Sequence, residues 1–276
     1  MRFAKAHGLG NDFILVEEGL APADVGPWAR RLCDRHLGIG GDGVVLHAPA
    51  PDGVRMRLVN ADGGEAEISG NGLRCLAAWA VRTGAAAPRH VVHTAAGPRR
   101  VEVTPLAGSR SRVATDLGPP VLGSADVPVA LDPPREPVLD EPLLAAGRTV
   151  RVTATSMGNP HCAVFLSAPP DDRLVAELGP SLENHPFFPR RTNVELITVL
   201  DRSRIRVRFW ERGVGPTSAS GTGAASAAVA SILHGLVDRR VEVVCDGGVL
   251  EVEWPEGGPV RQTGEVEVLF EGEWLD

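Results

Sequence analysis

The chain has no tyrosine and a single lysine, Lys5, set against many arginines. A pyridoxal-phosphate enzyme needs a lysine to carry its Schiff base. Lys5 falls in a strand-like run with no phosphate-cradling loop beside it, so that cofactor is not expected. Cysteine is scarce as well. Cys33, Cys75, Cys162 and Cys245 stand far apart and form no CxxC pair, which indicates neither a zinc site nor a disulfide framework. Buried structural thiols are the expectation. Positive charge is not in excess: the formal net charge is −7, which argues against binding a phosphate backbone, and no nucleic-acid partner is expected. No apolar run reaches roughly 18 residues, so no membrane span is expected. The opening MRFAKAHGLGNDF lacks the apolar stretch of a secretory signal, which points to the cytoplasm.

What is present is an ordinary globular composition, 43% hydrophobic and 23% charged over 276 residues. That length suits two domains, or one duplicated unit. The chain also repeats itself. SGNGLRCLAAWAVRTG (69–84) and SGTGAASAAVASILHG (220–235) both open Ser-Gly-x-Gly, run through small and apolar residues, and end in glycine at the same spacing. Each predicts a glycine turn opening a buried, Ala-rich helix with Gly84 or Gly235 at its end. Gly10-Asn11 is matched by Gly158-Asn159 at nearly the same offset. The strand-like runs VVLH and RMRLVN have counterparts in NVELITV and RIRVRFW. The remaining segments alternate apolar with polar residues, as strands do. The expected fold is α/β (α+β): two pseudo-symmetric halves, each a mixed, barrel-like sheet around its central helix, with the active site in the cleft between them. The Pro-rich stretch Pro119–Pro142 reads as a crossover or linker.

Paired helix starts suggest a chemistry. A helix N-terminus gathers unpaired N–H groups and about half a positive charge, so it binds carboxylates. Two facing starts would grip a carboxylate and stabilise an enolate-like carbanion. Ser69 and Ser220 would then lie on opposite faces of the reacting carbon, the geometry of two-base stereoinversion.

The stretches HGLGNDF (7–13), RHLGIGGDGVV (35–45), NADGGEAEISGNGLRC (60–75), MGNPH (157–161), RTNVE (191–195), WERGVGPTSASGTGAA (210–225) and FEGE (270–273) together resemble the diaminopimelate epimerase family, and the likeness covers nearly the whole chain. The resemblance implies an isomerase that converts LL- to meso-diaminopimelate in the lysine and cell-wall pathway. It implies no cofactor, no metal, a small-molecule amino-acid substrate and commonly a homodimer. The C-terminal segment would return to the first half, giving halves 1–117 with 264–276, and 118–263. By resemblance, Asn11, Asn60, Asn159 and Asn193 hold the substrate's amino-acid groups. Glu211 and Arg212 hold the distal ammonium and carboxylate. Gly70-Asn71 and Gly221-Thr222 form backbone cradles for the reacting carboxylate. Arg suits a carboxylate, Glu an ammonium, and Asn either.

The chain departs from the family at the two positions that matter most. The family's catalytic groups are cysteines, and here they are Ser69 and Ser220; Pro216 also replaces a usual glutamate. A thiol titrates near about 8.5, whereas a serine hydroxyl lies far higher, near water. The gap is roughly 7 units, on the order of 10 kcal/mol per base. Three readings follow. Epimerisation could persist with serines activated by His161 and Glu211, which the family places near the first and second catalytic groups. The chain could instead shift a proton or double bond in an unsaturated or cyclic amino acid, such as a pyrroline carboxylate, with His161 or Glu211 as the base. Or it could be a Cys-to-Ser variant or impaired paralogue that binds without turnover.

Overall fold

The computed structural model describes residues 1–275. The chain forms two compact units, Met1–Asp116 with Thr263–Asp276, and Leu117–Gln262. The first contains β1 (Arg2–Gly8), β2 (Asn11–Glu17), α1 (Val25–Cys33), β3 (Gly43–Ala50), β4 (Gly53–Asn60), β5 (Glu65–Ala66), α2 (Gly70–Arg82), β6 (Arg89–Thr94), β7 (Gly97–Pro105) and β8 (Arg110–Gly118). The second contains β9 (Val138–Ala145), β10 (Arg148–Ser156), β11 (Pro160–Phe165), α3 (Asp172–Glu183), β12 (Asn193–Asp201), β13 (Arg204–Glu211), β14 (Gly215–Thr217), α4 (Gly221–Leu233), β15 (Arg240–Cys245) and β16 (Gly248–Glu253). The last strand, β17 (Val260–Glu273), is long enough to pair with both β1 and β8 of the first unit.

The order of elements repeats. In the first unit β2 runs parallel to β3, with α1 as the crossover, and β4 runs parallel to β6, with α2 as the crossover. In the second, β11 and β12 are parallel across α3, and β13 and β15 across α4. Antiparallel hairpins join the rest. Each unit is thus a mixed sheet curled around one buried helix, as the internal repeat predicts.

The helices form where sequence and capping agree. Ser69 and Ser220 have extended backbones, and each side chain accepts a hydrogen bond from the N–H of the motif's second glycine, the N-cap geometry. Both helices end two residues before a glycine at positive φ, +75° at Gly84 and +65° at Gly235, where a side chain would be strained. In the first unit, Leu73, Leu76 and Ala77 of α2 pack against Phe13, Val45, Leu58 and Val266. α4 is buried almost throughout, and its serines are satisfied internally: Ser226 pairs with Thr155 at 2.7 Å, and Ser231 donates to the Ala227 carbonyl at 2.7 Å.

The Pro-rich stretch is not a linker. Val127, Val129 and Val138 are buried in the core of the second unit, and Ala130 donates to the Phe187 carbonyl at 2.8 Å. Prolines suppress regular structure before β9, but Val127 and Val129 still bury apolar surface, so that part packs as irregular chain and Val138 opens the strand. All four cysteines are buried and unpaired. Burial pushes the thiols of Cys33 and Cys75 up to about 11 and about 12.

A Cβ placed on Gly179 of α3 would lie 2.4 Å from Cδ2 of Trp210, the residue before Glu211. Gly179→Ala gains helix propensity of under about 1 kcal/mol but overpacks a rigid ring, at a cost of about 1–3 kcal/mol. The variant should melt several degrees below the parent in a thermal scan; an unchanged or higher melting temperature would show that α3 shifts freely.

Candidate active site

The first unit builds its half-site on the turn between β1 and β2 and the start of α2. Ser69, half-buried, accepts from Gly72 N–H at 3.1 Å. Next to it a chain of amides runs inward. Asn71 Nδ2 donates to Asn11 Oδ1 at 3.1 Å, and Asn11 Nδ2 donates to Asp42 Oδ2 at 2.6 Å. Asn71 Oδ1 accepts from the fully buried Arg74. Charges behind the turn hold it in place. Lys5 pairs with Asp12 at 2.6 Å, and Arg35 bridges Asp12 and Asp42 at 2.7 and 2.8 Å. Burial pushes the Asp12 carboxyl up, but its bonds to Arg35 and Lys5 outweigh this and hold it at about 2. Lys5 is therefore spent on anchoring the Asn11 turn. Asn60 lies exposed at the end of β4, outside this amide chain.

The second unit places more chemistry at the start of α4. Ser220, buried, accepts from Gly223 N–H at 3.3 Å. Thr222 accepts from Asn159 Nδ2 at 3.4 Å. Asn159 Oδ1 in turn meets His161 Nε2 at 3.0 Å, and His161 Nδ1 meets Glu195 Oε1 at 2.7 Å. Asn193, at the start of β12, donates to the Pro160 carbonyl at 2.9 Å and accepts from the backbone N–H of Arg212 at 2.9 Å. Glu211 accepts from Thr217 at 2.7 Å. Burial pushes the Glu211 carboxyl up, opposed by Thr217 and His161. The Arg212 side chain is exposed and donates to the Arg190 carbonyl at 3.1 Å.

The residues that fix these groups in place carry little signal of their own in the sequence. Glu183 accepts from Trp210 Nε1 at 2.7 Å and from Gly213 N–H at 2.8 Å, so it grips the chain on both sides of Glu211-Arg212. Glu183 has no motif context. Asp42 and Glu195 do lie within GGDG and RTNVE, where they could have been weighed as partners of Asn11 and His161.

The two helix starts therefore match in backbone and differ in surroundings. A Cβ on Gly72 would meet apolar atoms, Met56 Cε at 3.3 Å and Phe13 Cε1 at 3.4 Å; one on Gly223 would meet Glu195 Oε1 and Phe209 Cδ1, both at 3.0 Å. His161, Glu195 and Glu211 all belong to the second unit. Among the described residues no group of three His, Cys, Asp or Glu is placed to hold a metal ion, and no helix is long and apolar enough to cross a membrane.

Solved structures share this fold over almost the whole chain. A predicted epimerase of Pseudomonas aeruginosa aligns with a TM-score of 0.72 at 18% identity, covering 100% of this chain and 99% of that one. A hydroxyproline epimerase of Agrobacterium vitis, with bound trans-4-hydroxy-L-proline, aligns with a TM-score of 0.68 at 17% identity, covering 99% and 91%. Diaminopimelate epimerases of Desulforudis audaxviator and Pelotomaculum thermopropionicum are far nearer in sequence. They are 50% and 47% identical, covering 100% and 99% of this chain and 99% of each relative. Fold, paired serine-capped starts and these relatives define an isomerase of the racemase and epimerase class that acts on amino acids. Residues 3–123 and 153–269 match the diaminopimelate epimerase family, and the chain belongs to that family.

Proposed function

We propose that the chain epimerises diaminopimelate, LL to meso, by removing and returning the proton of one α-carbon. The observation that carries this reading is the pair of Ser-Gly-x-Gly starts, each with its hydroxyl oxygen held by an amide N–H. Stereoinversion needs a proton acceptor on one face of the carbon and a donor on the other, and Ser69 and Ser220 are the groups assigned to those roles. Gly70-Asn71 and Gly221-Thr222 cradle the reacting carboxylate, where helix-start N–H groups favour the enolate-like charge. Asn11, Asn60, Asn159 and Asn193 hold amino-acid groups of the substrate; Glu211 and Arg212 take its distal ammonium and carboxylate. His161 and Glu211 assist the hydroxyls as proton carriers. Action as a cytoplasmic homodimer, without cofactor, accompanies the reading.

One observation favours a second reading. Glu195 and His161, both buried, and the half-buried Glu211 all lie in the second unit, which suits a proton shift along one face of an unsaturated or cyclic amino acid such as a pyrroline carboxylate. Heavy water separates the cases. LL-diaminopimelate incubated with the protein should acquire deuterium at an α-carbon, followed by NMR, and meso product should accumulate. Binding without exchange would mark an impaired ligand-binding paralogue.

A further inference from the structure

Glu195 has no role in the reaction described above, yet it sits under the second helix start. Its side chain is 1% exposed and that of His161 0%. Oε1 lies 3.0 Å from where a Cβ on Gly223 would be. The second glycine of the motif thus leaves room for a carboxyl. The matched Gly72 leaves room only for apolar atoms.

The hydrogen bonds leading away from Glu195 have a forced direction. Asn159 Oδ1 is a carbonyl oxygen and only accepts, so His161 Nε2, 3.0 Å away, must carry a hydrogen. His161 Nδ1 and Glu195 Oε1, 2.7 Å apart, then share one more proton between them. Burial pushes the Glu195 carboxyl up, opposed by the charge and hydrogen bond of His161, and Glu211 pushes it the same way as burial. A raised carboxyl that donates this proton to Nδ1 is what holds the neutral ring in its Nε2–H form. With its oxygen occupied by Nε2–H, Asn159 has only amide hydrogens left, and these face Thr222.

We infer that Glu195 is a positioning residue: through His161 it fixes the amide of Asn159 with oxygen inward and N–H donors toward the start of α4. Such a donor recognises an acceptor, a carboxylate oxygen, and disfavours an ammonium at the same place. The inference rests on Asn159 being a substrate-binding group, as proposed above.

Glu195→Gln keeps the volume but removes the directional preference, because an amide offers Nδ1 either a donor or an acceptor. Two measurements test this on the full-length protein. The ring-nitrogen NMR shifts of His161 need no substrate. In the parent they should report hydrogen on Nε2 with Nδ1 sharing a proton, and in the variant they should move toward a mixture of tautomers. Calorimetric titration with LL-diaminopimelate should show binding weakened about tenfold, the effect of one misdirected hydrogen bond, with the melting temperature held. Unchanged His161 shifts in the variant, or a parent ring protonated on Nδ1 alone, would overturn the inference. A parent that binds LL-diaminopimelate not at all sinks the substrate reading instead and leaves the ring-nitrogen result to decide the role of Glu195. A purely structural Glu195 would lower the melting temperature and leave both ring shifts and affinity unmoved.

Discussion

Ser69→Cys with Ser220→Cys should raise α-proton exchange and epimerisation of diaminopimelate by at least about a thousandfold. A serine hydroxyl lies roughly 7 units above a thiol, a deficit on the order of 10 kcal/mol. The helix starts return part of it. Each hydroxyl accepts from an N–H of the first turn, at 3.1 Å for Ser69 and 3.3 Å for Ser220, which favours the alkoxide. A helix terminus contributes at most about 2 kcal/mol, however, and a positioned base typically another ~10²–10⁴ in rate. A deficit of several kcal/mol remains, and thiols would remove it. The native cysteines offer no substitute: burial pushes Cys75 up to about 12 and Cys162 well above its ordinary value. Either single replacement should gain far less than the pair, since inversion needs a competent group on each face. Deuterium incorporation from heavy water and formation of meso product are the readouts. A double variant no faster than the parent would remove the two-hydroxyl mechanism and favour a proton shift through His161 or Glu211.

The features that carried the sequence reading were those with strong local grammar. A serine followed by two spaced glycines and an alanine-rich run has one good conformation, an N-capped buried helix, and the structure has it twice. The paired strands followed from two-residue alternation and matched offsets. The Pro119–Pro142 segment misled because proline reports the absence of regular structure and is silent on burial; Val127, outside any strand, is as buried as any strand residue. Glu183 was hidden for a different reason, and Glu195, though inside a motif, showed no sign of its burial. A carboxyl buried behind a histidine or a tryptophan is indistinguishable in sequence from one on a solvated strand face. Only the parallel pairing of β11 with β12, which sets His161 beside Asn193, brings the RTNVE carboxyl behind the ring of MGNPH. Asn159, Asn193 and Glu211 lie in three separate stretches of sequence, and Asn193 ties the other two segments together through the backbone groups of Pro160 and Arg212.

Glu211→Gln should abolish most of the catalysis while leaving the protein as stable as before or more so. Glu211 is half-buried at the end of β13, and burial pushes its carboxyl above the ordinary value of 4.5, opposed by the Thr217 hydroxyl and by His161. A carboxyl raised by folding stabilises the fold fully at pH values below about 4.5, where both states are protonated. That contribution is lost as pH climbs through the raised folded value, because the folded state must then hold a charge that burial disfavours. Glutamine carries no such charge, and its amide oxygen can still accept from Thr217. Melting temperatures of parent and variant should therefore converge below about pH 4.5 and separate above it, with the variant the more stable near neutrality. Activity should move the opposite way, falling by ~10²–10⁴ if Glu211 carries a proton for Ser220. A proton carrier and a packing residue are distinguished by this opposition. If Glu211 only holds the β13–β14 turn through Thr217, the variant should keep its rate, and stability should follow the strength of that hydrogen bond at every pH. A fully active Glu211→Gln protein would leave His161, backed by Glu195, as the titratable group of the second unit available to Ser220.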